Sequence, residues 1–367
     1  MKVLILSNQA NGLILFRKEL LQVFLEKEWE TVVCVPWDEN CEKIKELGCR
    51  LSTVALERRG MNPVKDLKLL FFYLKLLKQE RPDVVLTYTI KPNLYGGLAC
   101  RLRRIPYLMN ITGLGTSLES PGFLGKILLR FYGFVSRGAR RVFFQNEGNR
   151  KFMHKHKIAL ENSYLLPGSG VNLEEHPLQE YPSEEDGISF LAVLRVMRSK
   201  GVTEYLEAAT VLKKEYPKLS FDLVGEFEKE DQDEYEPWLQ SLENQGVVHY
   251  WGHSNEVPKI MAKSHIIIHP SYHEGLSNVL LEAAACGRPV LASNVPGCAE
   301  TLVNGVSGFL FEAKSRDGIV NAVKTILELS PQERKKMGLR GRKHAENNFN
   351  RQTVIEAYVS EMEKIKK

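Results

Sequence analysis

The stretch "HEGLSNVLLEAAACGRPVLASNVPG", residues 273–297, decides the fold. Ser277 can cap a helix, Gly287 can end it and Pro289 prevents its resumption, so the pattern predicts a helix of about ten residues. The apolar runs on either side, HIIIHPS (265–271) and PVLAS (289–293), read as buried parallel strands. The stretch is then the turn and helix of a β-α-β unit, and the loop after the first strand lies at the carboxyl edge of a parallel sheet, where ligands bind. The amides of Leu276, Ser277 and Asn278 would face an anion, favoured by the helix dipole, and Gly275 would let it approach the backbone. Glu282 lies about five residues further on, roughly 7 to 8 Å at helical rise, where a carboxylate could accept two hydrogen bonds from a vicinal diol. Phosphate followed by diol is the layout of a nucleotide. A solvated helix carrying Glu282 and a turn carrying Glu274 would give the same spelling, so the wider chain has to decide.

The 367 residues provide for two domains of ordinary size, and 43% hydrophobic with 26% charged residues suits soluble globular units rather than disorder. The apolar run in MKVLILSNQ is too short for a signal peptide and no stretch reaches the length of a membrane span, so a cytoplasmic protein is expected. Six cysteines form no CxxC pair, which suits reduced thiols rather than disulfides or zinc. The net charge of +5 is uneven: residues 1–170 hold 27 Lys and Arg against 15 Asp and Glu, so the first half seeks an anionic partner.

Residues 1–170 alternate short apolar strands (KVLILS, TVVCVP, DVVLTY, YLMNIT, RVFFQN) with helical patterns near 15–28, 63–79, 93–103 and 122–137. Such alternation means a doubly wound parallel sheet. VNLEEHPLQEYPSEEDG (171–187), rich in Pro and acid, reads as an interdomain linker. A second set follows over 188–349: ISFLAVLR, a helix near 202–215, LSFDLVG, VVHYWG, HIIIHP and PVLAS. The fold class is therefore α/β, with two Rossmann-like domains expected to face each other across a cleft. A last helix, 350–367, is amphipathic and could pack back on the first domain.

In LRVMRSKG (194–201), Arg195 and Lys200 lie five apart after the first strand of the second domain, where two cations could clamp a diphosphate from the side opposite the Glu274 loop. Arg195 and Lys200 with Glu274 and Glu282, each pair at a strand's carboxyl end, resemble the donor site of glycosyltransferase family 4, retaining enzymes of the GT-B architecture. The resemblance covers nearly the whole chain and is most specific over 264–311. It implies a donor diphosphate against Arg195, Lys200 and the amides after Gly275, with the ribose on Glu282 and hydroxyls of the transferred sugar on Glu274. It further implies His273 beside the donor, the base near Gly225 and YWGHS (250–254), and Gly12, in a strand-to-helix loop, brought to the donor phosphates.

TYTIKPNLYGGLACRLRRIPYLMNITGLG (87–115) is similar to the bacterial subgroup that extends sugars carried on a polyprenyl diphosphate. The family often has a histidine where this chain has Thr112 and another near Tyr88; Lys91 and Thr112 are the acceptor-side candidates here. Leu194 stands where the family usually has a small residue. The resemblance implies a nucleotide-sugar co-substrate, UDP-linked, with no cofactor or metal, and a polyprenyl-linked saccharide acceptor. Two rival readings share this architecture: a sugar-nucleotide epimerase, and a non-catalytic sugar-nucleotide-binding subunit.

Asp231 and Asp233 in EKEDQDEYE (228–236) have the spacing of a metal-binding DxD but sit in an acid run, which reads as a solvated face. His249, His253, His265, His269 and His273 are spread over two strands and their loops without a second ligand set, so no zinc site is expected. GFLGKILLRFYGFVSRGARR (122–141) and VKDLKLLFFYLKLLKQE (64–80) are amphipathic helices whose apolar faces fit core packing. The basic excess of the first half adds a second expectation for them, an anionic membrane surface met from the cytoplasmic face of the plasma membrane. Nucleic acid is not expected, since no recognised motif accompanies the charge.

Overall fold

The computed structural model describes residues 1–55, 62–114 and 122–366, so Gly115, the last residue of the quoted 87–115 stretch, lies outside the described residues. The chain forms two compact units, one built from 1–169 and 352–367, the other from 170–351.

The first unit is a parallel seven-stranded sheet: β1 (Lys2–Leu6), β2 (Glu30–Val35), β3 (Arg50–Thr53), β4 (Val84–Tyr88), β5 (Tyr107–Ile111), β6 (Arg141–Phe144) and β7 (Ser163–Leu165), in the order β3-β2-β1-β4-β5-β6-β7. The central strands are the most apolar because both of their faces are covered; every residue of β4 and β5 is buried. Helix Pro63–Glu80 starts where its sequence says it should: Asn62 accepts hydrogen bonds from the amides of Val64 and Lys65 at 3.1 and 3.2 Å, and Pro63 takes the first turn, which needs no donor. One helix, Asn11–Glu26, begins earlier than its pattern suggests, and this corrects the place of Gly12. That residue lies in the first helical turn rather than in the strand-to-helix loop.

Helix Arg351–Lys366 completes this unit from the far end of the sequence. Val354, Ile355, Tyr358 and Met362 are buried with residues of β1, β2 and helix Asn11–Glu26. The Tyr358 hydroxyl donates to the Asn110 side chain at the end of β5, and Arg141 pairs with Glu361 at 2.7 Å. Arg17, buried, has its guanidinium over the rings of Tyr88 and Tyr358 at 5.5 and 5.7 Å.

The second unit is a parallel six-stranded sheet: β8 (Ile188–Val193), β9 (Leu219–Val224), β10 (His249–Gly252), β11 (Ile266–His269), β12 (Val290–Ser293) and β13 (Gly308–Phe311), in the order β10-β9-β8-β11-β12-β13. From β8 the chain winds outward to β10, then returns to the other side of β8 with β11. This reversal makes the β8/β11 boundary the sheet's switch point, and it brings two loops distant in sequence side by side.

Residues 171–187, expected as a linker, lie along this unit instead. The amide of Val171 donates to Phe349 at 2.8 Å, the Glu180 carbonyl accepts from buried Arg288 at 2.6 Å, and Glu184 pairs with Arg334, whose Nε donates to it at 2.8 Å. The composition misleads because Pro and acidic residues read as solvated, whereas here a carbonyl and a carboxylate add acceptors to two buried arginines that also donate to the carbonyls of Ala262 and Ile326.

Candidate active site

Apart from Asn278 and Glu282, which lie on helix Asn278–Ala285, the expected residues of the second unit follow strands in loops that local chemistry shapes. After β11 the chain crosses Pro270–Leu276 and enters helix Asn278–Ala285, with Ser277 as the N-cap, its hydroxyl accepting from the Leu280 amide at 3.4 Å. The Ser277 amide, expected to face an anion, donates to the Gly297 carbonyl at 2.8 Å. That expectation is corrected: the Ser277 amide is taken up in fixing the loop. Gly297 has φ +83°, and a Cβ there would stand 2.5 Å from the Glu274 carbonyl oxygen, so the loop after β12 closes against the backbone of Glu274 itself.

The loop after β8 meets this one directly. Tyr272 donates its amide to the Ser199 carbonyl at 3.0 Å, and Lys200 Nζ lies 2.5 Å from Glu274 Oε1. The expectation of two opposed sides is corrected: β8 and β11 are neighbours, so the cation and the carboxylate share one corner. His269, the last residue of β11 and buried, brings Nε2 to 3.0 Å from the same oxygen. Burial acts to raise the pKa of Glu274, but the His269 ring and the Lys200 ammonium outweigh it and hold the carboxyl well below the usual carboxylate range. Glu274 is thereby a fixed anion, able to accept hydrogen bonds from hydroxyls but not to give a proton.

Glu282 behaves oppositely. It lies half-buried on helix Asn278–Ala285, and burial pushes its pKa up to about 7, with Glu175 adding to the rise and Arg351 opposing it. Arg195, half-exposed beyond β8, pairs with Glu228 at 2.6 Å, so its position is set by the loop after β9. Gly225, at the end of β9, has φ +149°, and a Cβ there would lie 1.7 Å from the Leu194 carbonyl oxygen. Its lack of a side chain lets the ends of β8 and β9 approach, and the Tyr250 hydroxyl donates to its carbonyl at 2.7 Å. His273 and Gly275 lie half-exposed on either side of Glu274.

His269 is the residue that the sequence reading passed over, having weighed it only as a metal ligand. The signal was present: a histidine closing an otherwise apolar strand at its carboxyl end. The other histidines disperse, His265 onto Ser189 and Ser183, His249 onto Glu243 and His253 onto Glu226. Asp231 and Asp233 lie at the start of helix Gln232–Asn244. Among the described residues no three His, Cys, Asp or Glu side chains form a metal-sized group.

In the first unit Lys91 Nζ pairs with buried Asp66 at 2.9 Å, and Asp66 also accepts from the Tyr95 hydroxyl at 3.1 Å. Lys91 lines a cavity of about 480 Å³ with Lys68, Leu69 and Phe72. Thr112 follows β5 directly and is half-buried.

Residues 2–146 match the family described as "Glycosyl transferase 4-like", and residues 175–344 match "Glycosyl transferases group 1". The chain is 29% identical, over 89% of its length and 90% of the relative's, to the N,N'-diacetylbacillosaminyl-diphospho-undecaprenol alpha-1,3-N-acetylgalactosaminyltransferase of Campylobacter jejuni. It is 26% identical, over 72% of its length and 71% of the relative's, to the UDP-Gal:alpha-D-GlcNAc-diphosphoundecaprenol alpha-1,3-galactosyltransferase of Escherichia coli. Among solved structures, that of Anabaena Alr3699/HepE in complex with UDP and glucose has the same fold, with a TM-score of 0.81, 19% identity and 98% of each chain covered.

Proposed function

We propose that this chain, which belongs to the glycosyltransferases and joins a 4-like domain to a group 1 domain, moves a hexose or hexosamine from a UDP-sugar to a saccharide carried on a polyprenyl diphosphate. The reaction serves bacterial polysaccharide or oligosaccharide assembly at the cytoplasmic face of the membrane. The observation that carries the reading is the corner where Lys200, Glu274 and His269 meet at the switch point of the second sheet.

A departing nucleoside diphosphate develops negative charge on its β-phosphate, and fixed cations and helix amides that need no reorganisation stabilise it best. Lys200, Arg195 and the amides of Leu276 and Asn278 supply that field without a metal. Glu274, held as an anion, accepts hydrogen bonds from hydroxyls of the transferred sugar, and Glu282 accepts them from the ribose. The anomeric carbon–phosphate oxygen bond breaks as the acceptor oxygen bonds to the same face, and the acceptor's proton passes to the leaving phosphate oxygen. The configuration is therefore retained.

The test incubates the purified chain with a panel of nucleotide sugars and a short polyprenyl-diphosphate saccharide, with mass and anomeric configuration of the product read by mass spectrometry and NMR. An α-linked product gaining one sugar residue is expected from an α-linked donor. Isomerised donor without an extended acceptor would replace the reading with an epimerase.

A further inference from the structure

The loop after β12 carries one more glutamate, Glu300. Gly297, whose carbonyl takes the Ser277 amide, is itself buried and donates its own amide to Glu300 Oε2 at 2.6 Å. The side chain reaches back three residues, as an acid in a first helical turn reaches the amide that opens the turn. It does so from the short turn Ala299–Thr301, which the Thr301 amide and hydroxyl close on the Cys298 carbonyl at 3.0 and 2.7 Å. The start of the loop is fastened to the sheet, the Asn294 amide donating to the Phe311 carbonyl at the end of β13 at 2.7 Å. A carboxylate that accepts from a buried amide makes a charge-assisted bond, and its removal strands that amide away from water.

What Glu300 holds is the backbone of the corner at β8 and β11. A Cβ on Gly297 would stand 2.5 Å from the Glu274 carbonyl oxygen and 2.8 Å from that of Gly275. Two contacts therefore join the loop after β12 to the loop after β11: the Gly297 carbonyl on the Ser277 amide, and the Gly297 Cα against the Glu274 peptide. The buried Cys298 thiol feels the same closeness. Burial pushes its pKa up, Glu274 adds to the rise, Lys200 opposes it and Glu300 adds again, so charges from all three loops converge on one side chain. Lys200 and His269 hold the carboxylate of Glu274, whereas Gly297 sets the peptide from which that carboxylate extends. We propose that Glu300 is a positioning residue of the transfer, acting through Gly297 to keep the Glu274 carboxylate at the hydroxyls of the transferred sugar. The inference rests on the reading of Glu274 as the group that accepts from those hydroxyls.

The experiment compares the full chain with Glu300→Ala, which removes the acceptor of the Gly297 amide, and with Glu300→Gln, which keeps an oxygen there. Calorimetry measures affinity for UDP and for UDP-glucose, UDP-galactose and their N-acetylamino counterparts, and turnover is followed with the sugar nucleotide that the parent binds most tightly. In Glu300→Ala the affinity for UDP should stay within about threefold of the parent, while the ratio of UDP-sugar to UDP affinity and kcat should each fall about tenfold or more. Glu300→Gln should bring both back to within about threefold. Amide hydrogen exchange over residues 273–281 should quicken in Glu300→Ala and not in Glu300→Gln, with β8 and β9 unchanged in both. If Glu300→Ala does not fold, Glu300→Asp, one methylene short of the Gly297 amide, takes its place. A lower melting temperature with the affinity ratio and kcat intact would reduce Glu300 to a stabilising contact and overturn the proposal. So would a Glu300→Gln variant no better than Glu300→Ala, which would make charge the effective property. A parent that binds neither UDP nor any of the four sugar nucleotides rejects the donor-site reading and the clamp with it, whereas a parent that binds and a Glu300→Ala variant that matches it reject Glu300 alone.

Discussion

Two glutamates eight residues apart are driven in opposite directions by their surroundings. Glu274 is held ionised by a histidine and a lysine, while Glu282 is pushed up to about 7 by burial. The ribose diol donates best to a carboxylate, so UDP should bind more tightly as pH rises through about 7, and Glu282→Gln should flatten that step in titrations run from pH 5.5 to 8.5. The same shift makes a stability statement. The folded pKa lies above the unfolded one, so Glu282 stabilises the fold below about 4.5 and that contribution is lost as pH rises through about 7. Glu282→Gln should therefore raise the melting temperature at pH 8 and leave it nearly unchanged at pH 5. Lys200 acts on the leaving group: Lys200→Ala should lower kcat about 10²-fold or more, the usual loss when one preorganised donor is removed, and EDTA should leave the parent's rate unchanged. Restoration of an EDTA-treated enzyme by manganese would transfer that role to a metal. His269→Ala removes one of the partners holding Glu274, and we expect kcat to fall while UDP affinity, read by calorimetry, stays within about threefold.

At the scale of elements, the site is a matter of where strands end. Central strands and several helices were legible in the sequence, because buried parallel strands read as apolar runs, but Arg316–Leu327 and Pro331–Asn348 went unread although Ser315 and Ser330 cap them. The short strands Arg50–Thr53, Ser163–Leu165 and Gly308–Phe311 were not legible: they lie at or near the sheet margins, are partly exposed, and so lack a continuous apolar spelling. The site was legible as residue types but not as neighbours. Lys200 and Glu274 are 74 positions apart, and only the strand order that puts β8 beside β11 makes them partners. Ser277 was recognised as a cap, while its amide's engagement by Gly297 depended on a loop that no periodicity describes. Gly297→Ala should strain that closure and move the Glu274 loop, lowering kcat more than it lowers stability. Gly225→Ala, with a Cβ forced onto the Leu194 carbonyl, should instead cost about 2 kcal/mol or more in denaturant unfolding.

At the scale of the molecule, the chain leaves the first unit after Ser169 and re-enters it at Gln352. Val354, Ile355, Tyr358 and Met362 are buried there, and at about 1.5 to 3 kcal/mol for each fully buried apolar side chain their joint loss would rival the whole stability of an ordinary domain. Deleting residues 352–367 should therefore leave the first unit unprotected in hydrogen exchange while the second still binds UDP. The returning helix also imposes an order on biosynthesis. A nascent chain holds β1 to β7 well before it holds Tyr358, and all of the second unit must be translated in between. The donor-binding half can finish folding first, whereas the other half keeps an open core until Val354, Ile355, Tyr358 and Met362 have been made. During that interval its unpaired apolar surface is a natural client for chaperones, and a chain broken off within helix Arg351–Lys366 would be an aggregating product rather than an enzyme lacking one helix.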